Sequence, residues 1–157
     1  FFLILNTNVS ATNLAFINLD NVLKNSDLGI KTLNKIEKKK NLKQKEINNK
    51  ENDLKNLEEE IRNKQNIISK DEFKVEVTKL QKNIEDFNLY KKKISKDYEK
   101  YKNDEIINFF DKINPLIQNY LGENSIDIIF NNKNIIIGKD ALDITEKIIN
   151  IINKNIK

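Results

Sequence analysis

The chain has 157 residues, of which 33% are charged and 38% hydrophobic, and its 28 Lys and Arg outnumber 24 Asp and Glu for a net charge of +4. It contains no Cys and no His, which excludes disulfide frameworks, thiol chemistry, the usual zinc sites and imidazole acid–base catalysis. Only three Gly and one Pro interrupt it, as suits a helix-rich chain with a modest core.

Phe1-Phe2-Leu3-Ile4-Leu5 is an apolar run too short to span a bilayer, and the small residues Val9-Ser10-Ala11 suit signal-peptidase cleavage after Ala11. With no Met and no basic segment ahead of it, the 1–11 stretch reads as a signal-peptide remnant, so the mature chain is expected to begin at Thr12. Next, Leu14-Ala15-Phe16-Ile17-Asn18-Leu19 is expected to form a buried strand leading into a short helix capped by Asp20. Gly29 is expected to separate that piece from the long segment beginning at Leu33.

From Leu33 to Lys112 there is no Gly or Pro, and the pattern predicts two long charged helices reversing at Ser69-Lys70-Asp71-Glu72. In the first, Leu33, Lys40, Ile47, Leu54, Ile61 and Ile68 fall on one heptad row and Ile36, Lys43, Lys50, Leu57 and Lys64 on the next. Lysines at three of these second-row positions leave the seam half polar. In the second helix Val77, Leu80, Ile84, Phe87, Ile94, Tyr98 and Tyr101 continue the apolar row, and Ser69 with Glu72 fits a capping box that starts it. The hairpin is also basic: Lys31 to Phe110 holds 21 Lys and Arg against 16 Asp and Glu, while the remainder holds 7 against 8.

Ile106, Ile107, Phe109, Phe110, Ile113, Leu116, Ile117, Tyr120 and Leu121 make a wider apolar stripe, where the helix must be covered on several sides. Pro115 is expected to bend this helix and Gly122 to end it. Ile126 to Phe130 and Ile135 to Ile137 are β-branched runs joined by Asn131-Asn132-Lys133-Asn134, which predicts a strand hairpin. Asp143 with Glu146 repeats the capping logic for a last helix whose apolar face is Ile144, Ile148, Ile151 and Ile152.

These elements define an α+β, mostly α fold: a body from 12–32 and 113–157, and a long projecting antiparallel helical hairpin over 33–112. The body is small for a self-sufficient core and leaves strand edges open, so self-association is expected. Candidate oligomerisation residues are Phe16, Ile17, Ile126, Ile128, Phe130, Ile135 and Ile137.

The strand Leu14 to Leu19, the basic hairpin, the Ile126 to Phe130 strand with its successor, and Asp143-Ile144-Thr145 opening the last helix together resemble the Skp/OmpH family of periplasmic chaperones. The resemblance covers nearly the whole chain from Leu14 onward. It implies a homotrimer with three hairpins around a cavity, which holds unfolded outer-membrane proteins in the periplasm without ATP. It also implies contact with an anionic membrane or lipopolysaccharide, although no motif assigns that contact to named positions.

Weak contacts spread over a large adaptable surface suit a carrier better than one deep pocket does. The candidate client-binding residues are Ile47, Leu54, Leu57, Ile61, Leu80, Ile84 and Phe87, each of which can equally serve only to join the two helices. The basic excess is expected to steer acidic clients. No cofactor is expected, and no carboxylate stands in an apolar setting that marks a general acid or base, so the chain does not read as an enzyme. The alternatives are a coiled-coil scaffold without clients and, less favoured, nucleic-acid binding through Lys38-Lys39-Lys40 and Lys91-Lys92-Lys93.

Overall fold

The computed structural model describes residues 12–156; the expected signal-peptide remnant and cleavage site lie outside the described residues. In chain order the elements are β1 (Leu14–Ile17), α1 (Leu19–Asn25), α2 (Asp27–Lys64), α3 (Lys70–Glu123), β2 (Ile128–Asn131) and α4 (Thr145–Asn155). Short 3-10 turns occupy Asn132–Asn134 and Asp140–Leu142. The fold is mostly α with a small β part. Its contacts gather into two compact units, Asn34–Glu105 and the rest of the chain, and α2 and α3 each contribute to both.

In the unit outside Asn34–Glu105, Ala15 and Ile17 of β1, Val22 of α1, Phe109 and Ile113 of α3, and Ile148 and Ile152 of α4 meet in one buried cluster. Each of these Val, Ile and Phe side chains contributes roughly 1.5–3 kcal/mol when fully removed from water. Asn18 caps α1, its Oδ1 accepting from Asn21 N at 2.9 Å, while the expected cap Asp20 sits in the first turn and pairs with Lys133 at 2.7 Å.

Gly29 does not divide α1 from the long helix; it lies inside α2. The division is made by buried Ser26, whose extended backbone ends α1 and whose Oγ accepts from Gly29 N at 3.1 Å to cap α2. A Cβ at Gly29 would stand 2.0 Å from the Leu23 carbonyl oxygen, so the close approach of the two chain segments requires glycine there.

α3 continues through Pro115 and ends at Glu123, but Gly122 does not supply the left-handed residue. Ser125 does, with φ 51°. Ile126 N bonds Leu121 O at 2.9 Å and Ser125 N bonds Gly122 O at 3.4 Å, the paired bonds of a Schellman motif, with Ile126 and Leu121 both packed against the core.

The expected strand hairpin does not form. β2 pairs in parallel with β1, matching Leu14 with Ile128 and Phe16 with Phe130. Asn13 holds this register by donating its backbone N–H to Asp127 Oδ2 at 2.8 Å and accepting from Asp127 N at 2.9 Å. Beyond β2, the Asn131 side chain accepts from Lys133 N and Ile135 N turns back to Asn132 O, so the chain leaves the sheet before Ile135 can pair. Asp143 bridges to Phe16 and its carboxylate accepts from Thr145 N at 2.8 Å, opening α4 by a local turn rather than by the expected box with Glu146.

Candidate functional site

In the Asn34–Glu105 unit α2 and α3 run antiparallel: the side-chain pairs 46/90, 50/90 and 39/101 step in opposite directions along the two helices. The reversal uses the full capping box. Ser69 Oγ accepts from Glu72 N at 3.3 Å, and Glu72 Oε2 accepts from Ser69 N at 3.0 Å. The Ser69 hydroxyl also donates to Glu72 Oε2 at 2.8 Å, and that bond, followed by the one from the Ser69 backbone N–H, holds the Glu72 carboxyl below its ordinary pKa.

The seam between the helices is sparsely dry. Ile36, Ile61 and Ile94 are the buried apolar residues of this unit among the described residues. Of the expected client-binding residues, Ile61 is 3% exposed and so is committed to the seam, whereas Ile47, Leu54, Leu57, Leu80 and Phe87 are half-buried along it and Ile84 is exposed. The apolar side chains most open to solvent are others: Leu42, Ile67, Val75 and Leu89. They fall off the heptad rows, and that position is the signal in the sequence that would have found them.

Two of the seam lysines are engaged rather than idle. Lys43 Nζ donates to both Glu46 carboxylate oxygens at 3.0 and 2.8 Å, and Tyr90 OH donates across the seam to Glu46 Oε2 at 2.9 Å. The Lys43 bond, then the Tyr90 bond, lowers the Glu46 pKa, and the same contacts raise those of Lys43 and Tyr90. Lys50 Nζ lies 4.9 Å from the Tyr90 ring centroid and Lys39 Nζ 5.4 Å from that of Tyr101. Lys64, in contrast, is exposed at the end of α2.

Between this polar network and Ile61 the helices leave an open groove of about 390 Å³. Leu54, Phe87 and Tyr90 form its apolar walls, with Lys50, Asp53 and Asp86 around them.

The other unit has a different surface. One side of its sheet turns Ala15 and Ile17 into the core; the opposite side presents Leu14, Phe16, Ile128 and Phe130. Of the expected oligomerisation residues, Ile17 is 3% exposed and belongs to the core, Phe16, Ile126 and Ile135 are half-buried, and Ile128 and Phe130 are exposed. Ile137 is 90% exposed, as is its neighbour Ile136 at 98%. Gly138 brings this loop against the Phe16 ring, where a Cβ would meet Phe16 Cε1 at 2.8 Å. Leu14 and Ile136 are further members of this surface that the strand pattern did not single out.

Among the described residues no acidic cluster is placed to hold a metal ion, and no helix is long and apolar enough to cross a membrane. Two long helices with a thin, partly polar seam, together with a small mixed α/β unit, define a protein of the helical-hairpin class. The chain belongs to the OmpH-like outer membrane protein family, whose sequence profile matches residues 13–152. A crystal structure of a candidate OmpH-like outer membrane chaperone from Caulobacter crescentus CB15 matches with a TM-score of 0.86 at 14% identity, over 94% of this chain and 88% of that one. At that identity the likeness concerns the fold. No curated protein sequence matches the chain significantly. Membership of the family supports a chaperone role rather than an enzymatic one.

Proposed function

We propose that this protein is an ATP-independent periplasmic holdase that keeps unfolded outer-membrane proteins soluble in a cavity between hairpins of a homotrimer. The observation that carries the reading is the spacing of exposed apolar side chains, Leu42, Ile67, Val75 and Leu89, along an otherwise charged hairpin. Singly placed apolar contacts of this kind each bind weakly, and together they mask a long unfolded chain without selecting one sequence. The half-buried seam residues Ile47, Leu54, Leu57, Leu80 and Phe87, with exposed Ile84, add client surface where the helices part. The hairpin's basic excess supports attraction to acidic segments and to an anionic membrane or lipopolysaccharide surface.

The trimer is supported by the apolar sheet face of Leu14, Phe16, Ile128 and Phe130 and by exposed Ile136 and Ile137, which a second copy would cover. The test dilutes a urea-unfolded outer-membrane barrel into buffer with and without this protein, in the absence of ATP, and follows light scattering. The protein is expected to suppress scattering, and Leu42→Asn combined with Val75→Asn and Leu89→Asn to lose most of that suppression. Undiminished aggregation with the unsubstituted protein would sink the holdase reading, and a scaffold without clients would replace it. Native mass measurement tests the assembly: a stable monomer at micromolar concentration rules out the trimer.

A further inference from the structure

The groove between α2 and α3 has a local charge opposite to that of the hairpin around it. Its one lysine, Lys50, places Nζ 4.9 Å from the ring centroid of Tyr90, itself a wall of the groove, so one ammonium stands beside two carboxylates, those of Asp53 and Asp86, among the lining residues. Lys91 likewise lies 4.7 Å from the Phe87 ring centroid. Neither Asp53 nor Asp86 has a salt-bridge partner among the described residues. Two exposed carboxylates, one from each helix, therefore flank a cleft walled by Leu54, Phe87 and Tyr90.

We propose that this groove is a peptide-binding subsite for a basic–apolar element of an extended polypeptide. An aliphatic or aromatic side chain lies against Leu54 and Phe87, and a neighbouring Lys or Arg reaches Asp53 and Asp86. The inference rests on the holdase reading of the same hairpin and specifies which segments it grips. The net positive charge of the hairpin acts over a Debye length of about 8–10 Å and draws acidic chains toward it, but selection inside a groove is made at contact distance, where the two carboxylates outnumber the one ammonium of Lys50. The groove is also too large and too apolar for a lone ammonium: at about 390 Å³ it has room for a hydrophobic side chain beside the charged one.

The test uses the whole chain and fluorescein-labelled peptides that share one leucine-containing centre flanked by Lys, by Glu or by Ser, read by anisotropy at about 0.15 M salt, where the long-range field of the hairpin is screened. The Lys peptide is expected to bind tightest. Asp53→Asn combined with Asp86→Asn should weaken it about three- to tenfold, as two exposed ion pairs allow, and leave the Ser peptide unchanged. Asp53→Lys with Asp86→Lys should transfer the preference to the Glu peptide. Both positions are exposed, and unaltered circular dichroism confirms that the variants fold. Equal or tighter binding of the Glu peptide to the unsubstituted protein, or a Lys-peptide affinity indifferent to the Asn variant, overturns the proposal. The barrel-aggregation assay separates the two readings. Suppression of aggregation without the peptide preference defeats this subsite alone, and a peptide preference without suppression defeats the holdase reading while the subsite stands.

Discussion

The two units are held together by different means. Outside Asn34–Glu105, the interior is a continuous cluster to which β1, α1, α3 and α4 all contribute, and Phe109, Ile113, Ile148 and Ile152 are removed from water almost completely. Within Asn34–Glu105 the helices share three buried isoleucines, a row of half-buried side chains and a polar network through Lys43, Glu46 and Tyr90. Apolar burial is non-directional and strong per side chain, whereas exposed ion pairs and hydrogen bonds contribute little net stability but define register. The difference teaches that the hairpin is aligned more firmly than it is stabilised, a combination that suits a surface required to adapt to unfolded partners.

The largest expected effect contrasts one truncation in each unit. Ile148→Ala opens a cavity in a fully buried site and should cost about 3 kcal/mol, whereas Leu57→Ala on the half-buried seam should cost about 1 kcal/mol. Urea unfolding followed by circular dichroism measures both; equal losses would mean the seam is packed as tightly as the core.

Hydrogen exchange sharpens the comparison without altering the chain. Amides around Leu57 and Leu80 should exchange through local opening well before those around Phe109 and Ile148. Equal protection in the two places would mark the hairpin as rigid and remove the basis for adaptable holding.

The smallest effect concerns the polar network. Because the Glu46 pKa is lowered by Lys43 and Tyr90, its contribution is complete above the ordinary carboxylate range and is lost as pH falls through the depressed value. The raised Lys43 pKa sets the opposite edge: its contribution is complete below the ordinary lysine range and is lost in strong alkali. Between these limits the network should be indifferent to pH. Acidification, or Tyr90→Phe at neutral pH, should lower the protection of amides in the middle of the hairpin, taken relative to their intrinsic exchange rate at the same pH, while leaving the protection of the Ile148 region unchanged. An unaltered mid-hairpin rate in the Tyr90→Phe protein would show that the network does not align the helices.

Local chemistry made much of this protein legible in the sequence. The long helices follow from the seven-residue period and the lack of Gly and Pro between Leu33 and Lys112, and the reversal follows from Ser69 and Glu72, whose reciprocal bonds span three residues and need no distant partner. The wide stripe from Ile106 to Leu121 likewise announced where α3 would be covered on several sides, as Phe109 and Ile113 are. The surface surrounding the groove was half legible, since Leu54 and Phe87 lie on the predicted rows, but which residues are buried along them depends on how two helices meet. Only the tertiary structure decided that Ile61 is enclosed while Ile84 is open, and that Lys43 and Lys50 are taken up by Glu46 and Tyr90. It also decided that β2 pairs with β1, across more than a hundred residues of intervening chain, and not with the β-branched run at Ile135 to Ile137. Strand propensity states that a segment can pair; its partner is chosen by the contacts that bring two edges together, here Asn13 with Asp127 on one side and the Asn131 turn on the other. The same rule placed the left-handed residue at Ser125 rather than Gly122, because the end of α3 is set by where Leu121 and Ile126 can both reach the core.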